Sequence, residues 1–215
     1  PVSFFNNQIP LFSKGYEEYK NGNVAKLPVI YDKILKFSDN TIVLSGLFKK
    51  IDPLAAGKRG LKKKEFIKKN IEGAFSVFES ELSGISWSVN ISNNIDIEID
   101  CWKQDIYSVF VNLIENSIYW MKEKQSTEKK ITVDISVESG HIEFIDYRDT
   151  GPGIERNLIE SSVIFEPEFS TKTENGTGLG LSVAGESARR FGFELNALYS
   201  ETGAYFRLQK IEAEE

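Results

Sequence analysis

The chain has 215 residues, 40% of them apolar and 27% charged, with a net charge of −6, which is enough for one good-sized core or for a core with a smaller appendage. No apolar run approaches the roughly 18 residues a membrane span needs, no signal-peptide order opens the chain, and the acidic balance argues against broad nucleic-acid binding. Cys101 is the single cysteine and forms no internal disulfide, so a reducing, cytoplasmic setting is the expectation.

An opening on Pro1 rather than Met fits a piece of a longer protein, whose unseen part would hold a sensor or a membrane segment. The first predicted elements are helical. Ser3 to Lys20 reads as a short helix that Pro10 kinks or shortens, and "NGNVAKLP" reads as the turn after it. Residues 25–53 place Val29, Ile30, Ile34, Leu35, Phe37, Ile42, Val43, Leu44, Leu47 and Phe48 close to helical or heptad spacing, as in a long amphipathic helix. Helical hairpins of this kind often pair with a second copy, so a homodimer through a hairpin over residues 1–57 is expected. "DPLAAGKRG" reads as a hinge into a second domain over 58–215. The basic run "GKRGLKKKEF" is either a solvated helix start or a docking patch for an acidic partner.

In the second domain "KKEFIKKNIEGAFSVFESEL" has a helical period, while "ISWSVNIS" and "NIDIEID" alternate like two strands. "DIYSVFVNLIENSIYWMKEK" predicts a strong helix, and "KITVDISV" and "HIEFIDYRD" predict a hairpin turning at "ESG". A loop-rich span from Gly151 to Gly176 precedes a further helix and the strands "FELNALYS" and "AYFRLQKI", joined by "ETG". Helices beside antiparallel hairpins predict an α+β fold, a two-layer sandwich behind the N-terminal helical hairpin.

Four motifs stand out. "NGTGLGLS" sets Gly176, Gly178 and Gly180 at alternate positions just before a helix. Glycines there bare main-chain N–H groups at the positive end of the helix dipole, a seat for phosphate; a plain turn with close packing is the other reading. The spacing fits neither G-x-x-x-x-G-K-[ST] nor G-x-G-x-x-G after a strand. Asn112 and Asn116 lie four apart, on one helix face, where an amide oxygen could enter a magnesium shell or simply face solvent. "DTGPGI", Asp149 to Ile154, ends a strand; an acid there could accept from an adenine amino group while Gly151 and Gly153 let a base lie close, or the segment is an ordinary turn. "IFEPEFSTK" places Phe165, Phe169, Thr171 and Lys172 in a polar loop, where aromatics need something to cover.

Asn-x-x-x-Asn, Asp-x-Gly-x-Gly, Phe-x-Pro-x-Phe and Gly-x-Gly-x-Gly, in that order over Asp105 to Lys210, resemble the N, G1, F and G2 boxes of the catalytic ATP-binding domain of sensor histidine kinases, within the superfamily that includes gyrase-type and Hsp90-type ATPases. The resemblance implies ATP and Mg2+ as cofactors. Asn116 would ligate magnesium and Asp149 would read adenine, in a pocket shaped by Gly151, Gly153 and Ile154. Thr177 and the backbone of Gly176, Gly178, Leu179, Gly180 and Leu181 would hold the phosphates. A lid over roughly 155–175, carrying Phe165, Phe169 and Thr171, would close above them, with Lys172 at the terminal phosphate.

Departures from the family pattern qualify the chemistry. Hydrolysing relatives carry a glutamate where this chain has Asn112, which cannot act as a general base, so fast hydrolysis is not expected; Glu115 is an assisting acid or merely exposed. Tyr119 stands where many kinases place a basic residue, and is read as stacking or donating a hydrogen bond. "SFFNNQI" is similar to the acceptor box "HExNNxI" with Ser3 in the place of histidine, and serine is a weak nucleophile without an activating base. The one histidine, His141, opens a predicted strand and is not read as the acceptor. The resemblance implies a phosphoryl-transfer module with a response regulator or another protein as partner. Its alternatives are an ATP-dependent switch or dimer scaffold without transfer, and a serine kinase or Hsp90-like ATPase, against which Asn112 counts.

Overall fold

The structure, a computed structural model, describes residues 18, 20, 61–172 and 177–211. The chain divides into two units, Pro1–Asp52 and Pro53–Glu215, and the fold described belongs to the second. Apart from helical positions at Glu18 and Lys20, the hairpin expected over 1–57 lies outside the described residues, and so does Ser3.

Two sheets and a layer of helices make up the second unit. A two-stranded ribbon pairs β1 (Lys63–Phe66) antiparallel with β3 (Glu98–Cys101). The main sheet contains β2 (Ser86–Ile91), β4 (Lys130–Glu138), β5 (His141–Asp149), β6 (Phe193–Leu198) and β7 (Tyr205–Lys210), in the order β2-β4-β5-β7-β6. Among the described strands only the β2–β4 pair is parallel. Against one face lie α1 (Ile67–Ser76), α2 (Lys103–Glu123) and α4 (Gly180–Arg190), with α2 in the middle touching both others. This is the α+β two-layer sandwich expected from the sequence.

Periodicity explains the layers. On α2 the buried Ile106, Val109, Phe110, Leu113, Ile114 and Met121 recur at three- and four-residue steps and face the sheet. On β4 the buried Ile131, Val133 and Ile135 alternate with Thr132, Asp134 and Ser136, which turn to the open face. The β4–β5 turn uses Ser139 and Gly140, both at positive φ, as the two-residue hairpin turns require.

The helix expected over residues 63–82 is corrected at both ends. Its first four residues are strand, because Lys63 pairs with Cys101 and Phe66 with Glu98. The helix begins where Asp96, from a distant loop, accepts the N–H groups of Lys68 and Lys69 at 2.9 and 3.1 Å, satisfying donors a helix start leaves open. Residues 77–84 then run through turns. The second expected strand also shortens to Glu98–Cys101, since Asn94 adopts a left-handed turn conformation with φ 58°.

The open face of the sheet carries its own buried acid. Asp146 is 3% exposed, lying under Arg207 (Nε to Oδ1 2.6 Å), Arg148 (2.6 Å) and the Tyr205 hydroxyl (2.8 Å). Burial alone would raise its pKa, but the bonds from Arg207 and Tyr205 and the Arg148 charge outweigh that and hold the carboxyl below the usual aspartate value.

Candidate nucleotide site

The candidate site forms where α2 meets the end of β5 and the start of α4. Asp149 closes β5 and is 7% exposed. Its Oδ1 accepts the backbone N–H groups of Gly151 and Ala204, each at 2.9 Å. Its Oδ2 accepts the Ser117 hydroxyl at 2.5 Å, and Ser117 Oγ lies 2.8 Å from the hydroxyl of the fully buried Tyr147. Burial first, and then the charge of Asp149, push the Tyr147 phenol well above its ordinary pKa, against the bond to Ser117. Among the described residues Asp149 is therefore a buried acid held by neutral donors alone.

The turn between β6 and β7 completes this corner. Gly203 sits at φ 74°, and a Cβ there would collide with the Asp149 carbonyl oxygen, so no other residue lets the turn approach so closely. The Asp149 N–H in turn donates to Ala204 O at 3.0 Å. Gly153 lies against the same turn, and the position a Cβ would take at Gly151 is 3.1 Å from Asp149 Oδ1. Ile154 is half-buried against the core.

One and a half turns earlier on α2, the amide of the buried Asn112 donates to Ser108 O at 2.7 Å. A Cβ added at Gly180 would stand 3.0 Å from Asn112 Oδ1, so Asn112 abuts the first residue of α4. Below it the two helices are locked together: Ser108 and Ser187 share a hydrogen bond of 2.9 Å, and Arg190 Nε bonds the fully buried Asp105 at 2.8 Å. Removing one partner of such a buried pair costs about 3–5 kcal/mol. Between Asn112 and Ser117 lies Asn116, half-buried, whose side chain makes no hydrogen bond among the described residues.

At the start of α4 no side chain among the described residues caps the helix. The leading N–H groups of an uncapped helix point outward with the positive end of its dipole. Thr177 Oγ1 accepts the Leu179 N–H only at 3.5 Å, and Leu181 packs partly against the core. Gly178 sits at φ 67°, where a Cβ would meet the Glu168 backbone. The glycine run is thus seated on the loop that carries Glu168. Gly176 lies outside the described residues.

That loop follows α3 (Arg156–Glu160) and a 3-10 turn at Val163–Phe165. Phe165 and Phe169 are half-buried against the core, which anchors the segment; Thr171 is exposed. Lys172 Nζ stands 4.6 Å from the centre of the Tyr119 ring, a cation–π contact between loop and helix. Glu115 is half-buried and already engaged. A cavity of about 370 Å³ on the other side of α4, lined by Phe165, Pro167, Ser182, Gly185, Arg189 and Asn196 among others, includes none of Asp149, Asn116 or Tyr119. His141, exposed, opens β5 at the end opposite Asp149.

The structure thus brings Asn112, Asn116, Asp149, Gly151, Gly178 and Gly180 onto one corner. It also brings there Ser117, Tyr147, Gly203 and Ala204, which the sequence reading passed over. Ser117 follows Asn116 directly, and Tyr147 precedes Asp149 by two and so shares its strand face; these spacings were the available signals. For Gly203, read only as part of a turn, no local signal separates the two roles. Among the described residues the donor set fits a magnesium nucleotide: a buried carboxylate, an amide oxygen without a hydrogen bond, and uncapped N–H groups at a helix start.

Comparison with known proteins agrees with this geometry. The family described as histidine kinase-, DNA gyrase B- and HSP90-like ATPase matches residues 103–215, over half of the chain. The chain is 30% identical over 127 residues to the autoinducer 1 sensor kinase/phosphatase LuxN of Vibrio campbellii, covering 59% of this chain and 14% of LuxN. It is 47% identical over 70 residues to the two-component sensor PprA of Pseudomonas aeruginosa, covering 32% of this chain and 7% of PprA, so it spans only a small part of these curated relatives. Among solved structures, the catalytic domain of histidine kinase ThkA superposes with a TM-score of 0.57 at 24% identity, over 70% of this chain and 95% of that one. Full-length ShkA in complex with AMPPNP gives 0.61 at 16% identity, over 88% and 40%. At such identities these likenesses speak for the fold; with the match over 103–215 and an acid, amides and a glycine-opened helix converging on one corner, the chain belongs to the histidine kinase-, DNA gyrase B- and HSP90-like ATPase family.

Proposed function

We propose that this chain is the ATP-binding part of a sensor histidine kinase, which holds magnesium ATP under the 155–175 segment and directs its terminal phosphoryl group to a histidine on another polypeptide surface. The observation that carries the reading is the convergence on α2. Within five positions of that helix, Asn112 abuts Gly180 and Ser117 bonds Asp149, about 7.5 Å of helix rise. An adenine reader and a phosphate seat that close match the reach of one nucleotide.

In this reading Asp149 accepts from the adenine amino group, with Gly151, Gly153 and Ile154 giving the base room. The N–H groups from Gly178 to Leu181, with Thr177, receive the phosphates, and Asn116 offers its amide oxygen to magnesium. Bound magnesium ATP supplies the activated phosphoryl group and the charge neutralisation that transfer needs. Asn112 is neutral and its amide is committed to Ser108, so it takes no proton from water, which favours transfer to an external nucleophile over hydrolysis. Lys172, which stands over the Tyr119 ring, would meet the terminal phosphate if the segment closed over it.

His141 begins a strand that ends at Asp149 eight residues later, about 27 Å away along an extended chain, and is not the acceptor of its own site. The acceptor histidine belongs to a helical hairpin on another chain, since Ser3 stands at the acceptor position of this chain's own 1–57 segment. Dimerisation through that segment, a response-regulator partner, and a place on the cytoplasmic side of a larger sensor are parts of the same proposal. LuxN and PprA are named as a sensor kinase/phosphatase and a two-component sensor, which supports it; among the described residues no helix is long and apolar enough to cross a membrane.

The test uses γ-labelled ATP and magnesium on the chain, its Ser3→His variant, and the variant combined with Asn116→Ala. Acid-labile, base-stable label is expected on Ser3→His alone, and the Asn116 change should abolish it together with magnesium-dependent nucleotide binding. Magnesium-dependent affinity that survives Asn116→Ala would remove the metal assignment. An absence of ATP binding by the parent chain would remove the whole reading.

A further inference from the structure

The Tyr147–Ser117–Asp149 chain of hydrogen bonds does more than fill a polar gap. Each of the two hydroxyls has a single hydrogen. Tyr147 is completely buried, and Ser117 Oγ, at 2.8 Å, is the hydrogen-bond partner of its hydroxyl among the described residues. Were the bonds to run outward from Asp149, through Ser117 to the tyrosine oxygen, the phenol hydrogen would point into apolar surroundings with no acceptor, an orphaned donor that folded proteins avoid. Run the other way, Tyr147 donates to Ser117, Ser117 donates to Asp149 Oδ2, and no hydrogen is left over. The elevated pKa of the phenol keeps its proton in place for this role. On the other carboxylate oxygen, Gly151 N–H and Ala204 N–H are main-chain groups that can only donate. Every neighbour of Asp149 therefore gives it a hydrogen, and none takes one.

We propose that Tyr147 and Ser117 are specificity-determining positioning residues, which fix Asp149 as a pure acceptor and so make the site select a purine that presents an amino group over one that presents a carbonyl at the same place. This rests on the nucleotide reading above and adds to it a reason for base choice. An amino group at purine position 6 meets a carboxylate lone pair and donates to it. A carbonyl there meets two facing lone pairs and loses a hydrogen bond on both sides, the situation in which polar sites discriminate most strongly. Without the hydroxyl pair, Asp149 Oδ2 loses its side-chain donor, the orientation of the carboxylate rests on the two N–H groups at Oδ1 alone, and the distinction weakens. Tyr147 contributes at a distance from any ligand: its ring packs edge-on to Phe206 at 6.5 Å, which holds the hydroxyl under Ser117.

The experiment is equilibrium displacement of a fluorescent ATP analogue by ATP, GTP and ITP, from the parent chain and from its Ser117→Ala, Tyr147→Phe and double variants. The double variant removes donor and acceptor together, leaves no orphaned hydroxyl, and so keeps the test independent of a folding defect in either single change. The parent should prefer ATP to both 6-oxo nucleotides. The preference should fall about tenfold in Ser117→Ala and in the double variant, the size of one hydrogen bond to a charged group, and by a smaller factor in Tyr147→Phe. Ser117→Thr, which restores the hydroxyl, should keep the parent ratio. A purely structural role would lower the affinities for all three nucleotides by the same factor; an unchanged ratio in the double variant, with ATP still bound by the parent, overturns this inference and leaves the nucleotide reading standing. A parent that binds none of the three overturns both.

Discussion

Two buried aspartates stand three positions apart on β5 and are handled in opposite ways. Asp146, on the open face, is covered by two guanidinium groups and a phenol, so its charge is answered on the spot. Asp149, at the strand's end on the helix side, is answered only by neutral donors: two peptide N–H groups and a serine. Hydrogen bonds from neutral groups hold a carboxylate in place without cancelling its charge. The first arrangement stabilises the sheet. The second leaves the charge of Asp149 without a counter-ion among the described residues.

Substitutions at the two positions separate these roles. Asp146→Asn should have the largest effect on folding, a loss of about 3 kcal/mol in urea denaturation, since two arginines lose a buried counter-charge. ATP affinity should stay within about twofold of the parent, because Asp146 faces away from the helix layer. The same variant should alter the acid limb of stability. A carboxyl held below its ordinary value contributes fully above the unfolded aspartate pKa, about pH 4, and loses its contribution as pH falls through the lower folded value. The parent should therefore weaken more steeply than Asp146→Asn below pH 4. Asp149→Asn should put its main cost on binding, with ATP affinity reduced about 30-fold in calorimetry and stability lowered by about 1–2 kcal/mol, since an amide N–H2 facing a donor leaves one hydrogen unsatisfied. Equal effects of the two changes on affinity would erase the contrast. The smallest expected effect is that of Tyr119→Leu, which removes the ring under Lys172. A loss of about 0.5–1 kcal/mol should appear as faster amide exchange in residues 163–172 and less than about fivefold weaker ATP binding.

How well the sequence foretells each part follows the range of the interactions that build it. Helix α2 and the β4–β5 hairpin are legible because their apolar spacing and their turn are local, and both appear within two residues of the expected bounds. Lys63–Phe66 was misread as helix because its period is ambiguous over four residues. Its partner strand lies more than thirty positions away, and the capping acid Asp96 is almost as distant. The asparagine, Asp-Gly and glycine boxes lie at the corner itself, and each is a short run whose chemistry shows in its residue types. Ser117, Tyr147 and Gly203 were missed because their meaning is made by contact: a hydroxyl after an asparagine, a tyrosine in a strand and a glycine in a turn are ordinary until three elements meet at Asp149. The order of motifs carries the chemistry, and the tertiary contacts carry its tuning.

Cys101 has a practical consequence. It is the sole thiol of the chain and is 1% exposed beside α2. Burial, reinforced by Glu65 and Asp105, pushes it up to about 12, so the folded protein is nearly silent toward alkylating reagents, which attack the thiolate. Reaction at this sulfur must wait for the β1–β3 ribbon to lift away, which turns slow labelling into a clock for that opening. A cysteine introduced on the segment near Thr171 would then take up a fluorophore at a single place, and report movement there without first stripping the native thiol.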